Sequence, residues 1–394
     1  KPNFEKRDCW SRIRLSYIFP VDSSHRGVLM QKIILFALLN LLVFVPALHA
    51  QTNSEIKRYL YLSTPDAAQV EGQAQGAGIL IFDIDNGHSL VRRIDIPVFE
   101  EGLRGFAANL ETHSAYFSTQ NPRIGAFDLE TEQITWQQSH HLGSDRSSIT
   151  LDGKKLYVPT GWWVRGDDSG VLVLNAENGE IIKHVRVGSQ AHNSLVSVDG
   201  RYLYLGTTRM LTVLDTDNEN VLYQIEPVGE SGGQGVFPYT VDSANRIAYV
   251  SLGSNIGFDV VDLQQERIIH HVVVGDEPIP HRTHGAALSP DETELWISDQ
   301  EGQKLFIFDA TQMPPILNGD VDLSQGGHGW VTFSLDGRYV WTHTPDVFDA
   351  ETRELVATLR DENGNPVSGS KFIEVHFRDG KVVAVGNEFG LGRR

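Results

Sequence analysis

Apolar and polar residues alternate along this chain in short runs rich in Val, Ile, Leu and Tyr, the pattern of buried and half-buried β-strands. Residues 281–309, HRTHGAALSPDETELWISDQEGQKLFIFD, show it most clearly. An apolar run led by His284-Gly285, a polar turn, a run centred on Trp296, a Gly-containing turn and a run ending at Asp309 predict a three-strand meander. No segment carries a 3.6-residue apolar period over helical length, so the chain reads as all-β.

The meander recurs. An Asp or Asn closes one strand of each unit at Asp83, Asp128, Asn175, Asp215, Asp262, Asp309 and Asp349, with spacings of 45, 47, 40, 47, 47 and 40 residues. An aromatic stands in the preceding strand of every unit, at Tyr61, Tyr116, Tyr157, Tyr204, Tyr249, Trp296 and Trp341. Two markers with one period fit the four-strand blades of a propeller. A β-sandwich of regular strands predicts no such return of one residue type to one place. Asp-Gly pairs at 152–153, 199–200, 336–337 and 379–380 supply the left-handed residue of a two-residue hairpin or its bulged variant. The expected fold is a seven-bladed β-propeller of four-stranded antiparallel blades.

The first unit, Arg58 to Pro97, lacks a leading strand. The run Lys371 to Phe377 is predicted to supply it, so that the N- and C-terminal strands close the ring. Lys381 to Gly386 is then one strand more than seven blades need. It is expected either to compete with Tyr59–Ser63 for its place or to pack outside the ring.

Residues 1–50 follow a different pattern. Met30 and Lys32 open an apolar stretch from Ile33 to Leu48, broken by Asn40 and Pro46 and followed by small residues around Ala47 and Ala50. That is the layout of a signal peptide over 30–50, with 1–29 as upstream read-through and 51–394 as a single propeller domain. The expected location is periplasmic or extracellular, with no membrane attachment after cleavage.

Charge and cysteine usage narrow the function classes. The formal charge is −18, and without residues 1–50 the chain keeps 26 basic against 48 acidic residues, or −22. Such a surface repels phosphate backbones, so nucleic acid is not an expected partner. The only cysteine, Cys9, lies in the leader, which leaves the propeller without a thiol nucleophile, disulfide or thiolate metal site.

Several units resemble the YVTN-type propellers, through Leu156-Tyr-Val-Pro-Thr160 and Ala248-Tyr-Val-Ser-Leu252. The same broad group includes lactonase-like propellers and the haem-binding propeller of periplasmic nitrite reductase. The resemblance implies the fold, and it implies three uses of it: ligand binding, lactonase-type hydrolysis or isomerisation, and carriage of a redox cofactor.

Candidate chemistry sits where inner strands begin, because those starts converge around one mouth of the channel. Counting back from the aromatic markers places Arg104, Arg146, His192, Phe237, His284 and His328 there, with Lys371 on the closing strand. A basic ring on so acidic a chain predicts a pocket for a small anion. The bland alternative is that these side chains bind channel water and backbone carbonyls. His192, His284 and His328 are also candidate ligands for copper, zinc or haem iron. The loop 161–170, GWWVRGDDSG, is expected to overhang the mouth, where Trp162 and Trp163 would stack on a ligand, form a lid or meet a protein partner. Trp330 is a candidate further wall. Glu374 and His376, at period two on the closing strand, are the candidate acid–base pair, with Arg104 and Arg146 polarising a carbonyl. His113, His140, His141, His184, His270, His271 and His343 are read as solvated.

Overall fold

The computed structural model describes residues 55–387 apart from 65–77, 95–102, 120–122, 143, 189, 227–237, 276–278, 300, 327–328 and 370. The leader assignments over 1–50, Phe237 and His328 therefore lie outside the described residues.

Seven antiparallel sheets form the ring. Named from the channel outward, blade 2 is Leu103–Asn109, Ser114–Thr119, Arg123–Asp128 and Ile134–Ser139. Blade 3 is Ser148–Ile149, Lys155–Pro159, Gly170–Asn175 and Ile181–Arg186, and blade 4 is Ala191–Val196, Tyr202–Thr207, Leu211–Asp215 and Val221–Ile225. Blade 5 is Tyr239–Val241, Ile247–Ser251, Gly257–Asp262 and Arg267–Val273; blade 6 is Thr283–Leu288, Glu294–Asp299, Lys304–Asp309 and Ile316–Asp322. Blade 7 is Val331–Phe333, Tyr339–Thr342, Asp346–Asp349 and Leu355–Thr358. Blade 1 joins the chain's two ends: Lys371–Arg378, then Lys57–Ser63, Ile79–Asp83 and Ser89–Ile94. The only helical turn among the described residues is a 3-10 turn at Gly166–Asp168.

Burial orders the strands. Ala191–Val196 is wholly buried, whereas the outer strand Val221–Ile225 of the same blade is mostly exposed. The core is divided into layers between neighbouring blades, as where Leu195 and Tyr204 of blade 4 meet Tyr239 and Val250 of blade 5.

The two repeating markers have physical causes. Each marker Asp accepts backbone N–H groups two or three residues ahead: Asp128 from Glu130 and Thr131, Asp215 from Asp217 and Asn218, Asp262 from Gln264 and Gln265. This Asx geometry starts the turn into the outer strand. The fourth residue after it is left-handed at Glu132, Gly179, Glu219, Glu266 and Arg353. A bulge follows in the third-to-outer pairing of all seven blades. A bulged, twisted edge strand resists pairing with another chain. The aromatics are buried and several bond to the next blade: Tyr157 to the Thr216 carbonyl at 3.2 Å, Tyr204 to Asn245 at 3.1 Å.

Of the Asp-Gly pairs, only Gly is left-handed at 153, 200 and 337, giving the bulged hairpin. At Asp379-Gly380 both residues are left-handed, the two-residue form, and Arg378 pairs directly with Lys381.

The ring closes as the sequence predicts, with seven consecutive pairs from Lys57↔Phe377 to Ser63↔Lys371. The extra strand corrects both expectations for it. Lys381–Val385 neither displaces Lys57–Ser63 nor lies outside the ring, but adds a fifth strand along the channel-side edge of Lys371–Arg378. The outward edge is already taken by Lys57–Ser63. The tight turn returns the chain to the other edge of Lys371–Arg378.

Candidate functional site

Neighbouring blades meet closely where the inner strands begin. Glycine is required at Gly105 and Gly285, since a methyl group at either would overlap a carbonyl oxygen of the next blade, Asp145 or Gly329. Ser118 donates to the Asp145 carbonyl at 3.0 Å, and Ser298 donates to the Gly329 carbonyl. Arg146 also forms a parallel bridge to Asn193 of blade 4. These contacts fix the backbone from which the candidate side chains project.

Trp330 occupies the middle of this arrangement. It is buried, and three blades send side chains to its ring. The Arg146 guanidinium carbon lies 3.1 Å from the ring centre and the Lys371 ammonium 5.8 Å from it. His284 meets the same indole edge-on, with centroids 6.0 Å apart. Trp330 is therefore the common base of the cluster, where the sequence suggested an additional wall. Cations held against an indole face gain electrostatically from its quadrupole, most where water is excluded.

His192 stands on the blade 4 side. Its Nδ1 lies 2.5 Å from Oδ2 of Asp145, a buried carboxylate that sequence reasoning missed. Burial holds the imidazole below its ordinary range against the pull of Asp145, and Arg146 and Lys371 push the same way. Asn193, wholly buried, has neither amide atom hydrogen-bonded among the described residues. An amide so placed is satisfied by bound water or by a ligand.

Above blade 3, Trp163 lies against Arg104, whose guanidinium carbon is 5.9 Å from the indole centre. Trp162 packs edge-on against Trp163 and is 47% exposed. Loop 161–170 thus reaches the inner-strand starts, where Trp163 meets Arg104. The other loop expected there, 65–77, lies outside the described residues.

Glu374 and His376 are placed differently. Glu374 Oε1 lies 2.6 Å from Nε2 of His376, and Oε2 accepts the backbone N–H of Leu335 at 2.6 Å. Three residues of strand, about 10 Å, separate Glu374 from Lys371. The pair faces the inner hairpin of blade 7.

Several histidines read as solvated are engaged. His343 is buried and its Nδ1 accepts the Gly329 N–H at 2.7 Å. His271 bonds the buried Asp259 at 2.6 Å, and His113 pairs with Glu130 at 3.0 Å. His281, beside the mouth, is raised by its bond to Asp299, 3.0 Å away. Among the described residues no three His, Cys, Asp or Glu side chains gather as a metal site. His192 is turned to Asp145 and His284 to Trp330.

No protein-family profile matches the chain, and no curated protein matches its sequence. Solved structures do. The dihydro-heme d1 dehydrogenase NirN, in complex with DHE, is 17% identical over 82% of this chain and 75% of that one, with a TM-score of 0.53. The Cps50 (Swd1) beta-propeller domain of Myceliophteria thermophila is 10% identical over 71% of this chain and 89% of that one, also with a TM-score of 0.53. At these identities the likeness is one of fold, and it agrees with the seven-bladed ring described above.

Proposed function

We propose that this chain is an exported propeller that binds a small anion at the mouth of its channel. One observation carries the reading: Arg146, Lys371 and His284, from blades 3, 1 and 6, converge on the single indole of Trp330. Arginine and lysine brought together where both side chains are buried favour a carboxylate or phosphate, in a molecule whose overall charge is strongly negative. NirN is solved in complex with DHE, which supports a ligand-binding use of the fold here. The apolar stretch at 33–48 with its small-residue exit supports export.

Calorimetric titration of the full chain with acetate and with phosphate tests the site. Arg146→Ala and Lys371→Ala are each expected to weaken the bound anion by about tenfold, the size of one charge-assisted hydrogen bond. Undiminished affinity in both variants would overturn the proposal.

A further inference from the structure

Four asparagines of the chain precede a glycine, at 86–87, 178–179, 318–319 and 363–364. Such a pair carries a reaction of its own. The backbone nitrogen of the glycine attacks the side-chain carbonyl carbon of the asparagine, the side-chain nitrogen leaves as ammonia, and a five-membered succinimide closes. Water then opens the ring at either carbonyl, giving aspartate or isoaspartate. The net change is one water consumed and one ammonia released. Glycine favours the attack because no side chain shields its nitrogen. That nitrogen must also be free to turn onto the asparagine, which a backbone hydrogen bond prevents until the segment opens.

The four pairs differ in this respect. Gly179 N–H donates to the Asn175 carbonyl at 2.7 Å, and the Trp136 ring fills the space where a side chain on Gly179 would stand. Gly364 N–H donates to the Asp361 carbonyl at 3.0 Å. Asn318 and Gly319 lie within the outer strand of blade 6, where Gly319 pairs with Ile307 and the Asn318 carbonyl accepts from Arg353 at 2.9 Å. Asn86 and Gly87 instead occupy the exposed turn between the third and outer strands of blade 1. The Asn86 carbonyl accepts the Ser89 N–H at 3.2 Å, and Gly87 and His88 are both left-handed, as in a type I′ turn. The Gly87 N–H meets no acceptor among the described residues, and a Cβ on Gly87 would have nothing within 4 Å. The Asn86 side chain is tethered through Nδ2 to the exposed Ser89 hydroxyl, 3.1 Å away.

We infer that Asn86 is a site of spontaneous modification to aspartate and isoaspartate, selected by the fold from four equal sequence matches. The product adds a carboxylate to a turn that already holds Asp83 and Asp85. Its isoaspartyl form also inserts one main-chain carbon between two strands of the blade that closes the ring.

The full chain is incubated at mildly alkaline pH, folded and in concentrated urea, and its peptides are then weighed for exchange of amide by acid. In the folded protein Asn86 is expected to convert about fivefold faster than Asn178 or Asn363, the worth of the one hydrogen bond that holds each of those glycines. In urea the four asparagines are expected to react at similar rates. Asn86→Gln, whose longer side chain must close a six-membered ring, is expected to slow the appearance of the acidic form on ion exchange. Conversion of Asn178 or Asn363 as fast as Asn86 in the folded protein overturns the inference. So does a lead for Asn86 that persists unchanged in urea, which would place its cause in the local sequence and not in the turn.

Discussion

His88 lies in the turn of blade 1 on the face opposite the mouth, where Trp341 of blade 7 donates its indole N–H to Nε2 at 3.0 Å. Burial pushes the imidazole down to about 4, with the charge of Arg58 adding to the effect and Asp85 opposing it. An unfolded chain binds the same proton near the ordinary value of about 6.5. Unfolding therefore takes up a proton between those two values, and the contribution of a neutral His88 is complete above pH 6.5 and declines as pH falls towards 4. The loss amounts to about 3 kcal/mol. Urea melts across that window are expected to show it, and His88→Gln, which keeps an acceptor for Trp341, is expected to flatten it; an equal acid slope in the variant would refute the assignment. Single residues were unevenly legible in the sequence. Arg104, Arg146, His192, His284 and Lys371 could be placed because strand counting fixes where inner strands begin. Asp145 could not, since its bond to His192 depends on how closely two blades approach. Nor could the central position of Trp330, which follows from the packing of three other blades around it.

Strands and turns were easier to anticipate, because each leaves a local trace. The Asx turns appear in the chain as a recurring Asp, and the bulged hairpins as Asp-Gly. What left no readable trace is contact between elements. Gly285 looks like any strand glycine, yet it stands where the Gly329 carbonyl of the next blade takes up the space of a side chain. Gly285→Ala is expected to destabilise the protein by about 3 kcal/mol, through displaced backbone at the junction of blades 6 and 7. Calorimetry of the variant checks this, and a melting temperature within a degree of the parent's would show that the two strands can part without cost. The extra strand Lys381–Val385 illustrates the same limit. Its apolar run, Val382 to Val385, identified a strand, but the edge it joins is set by which edges of its neighbours were already occupied.

For the molecule as a whole, periodicity carried nearly all the information. Seven repeats of two markers foretold seven blades, and the missing first strand foretold that Lys371–Arg378 would complete blade 1. Charge foretold less: the proposed anion at a basic mouth follows from it without a choice among anions. The proposed export concerns the whole chain too. In a Gram-negative host the soluble protein is expected in the periplasmic fraction with its first residue near Gln51; a cytoplasmic product that retains Met30 would contradict the leader assignment.

The pairing of Lys57–Ser63 with Lys371–Arg378 joins segments more than 300 residues apart. Loop closure over such a separation is entropically costly and comes after local structure has formed. Six blades can assemble from local pairings while Lys57–Ser63 waits without its inner partner. Blade 1 is completed only when Lys371–Arg378 docks, so the first strand of the ring acquires its partner among the last. Until then that strand presents an open edge, the kind of surface that holding chaperones protect.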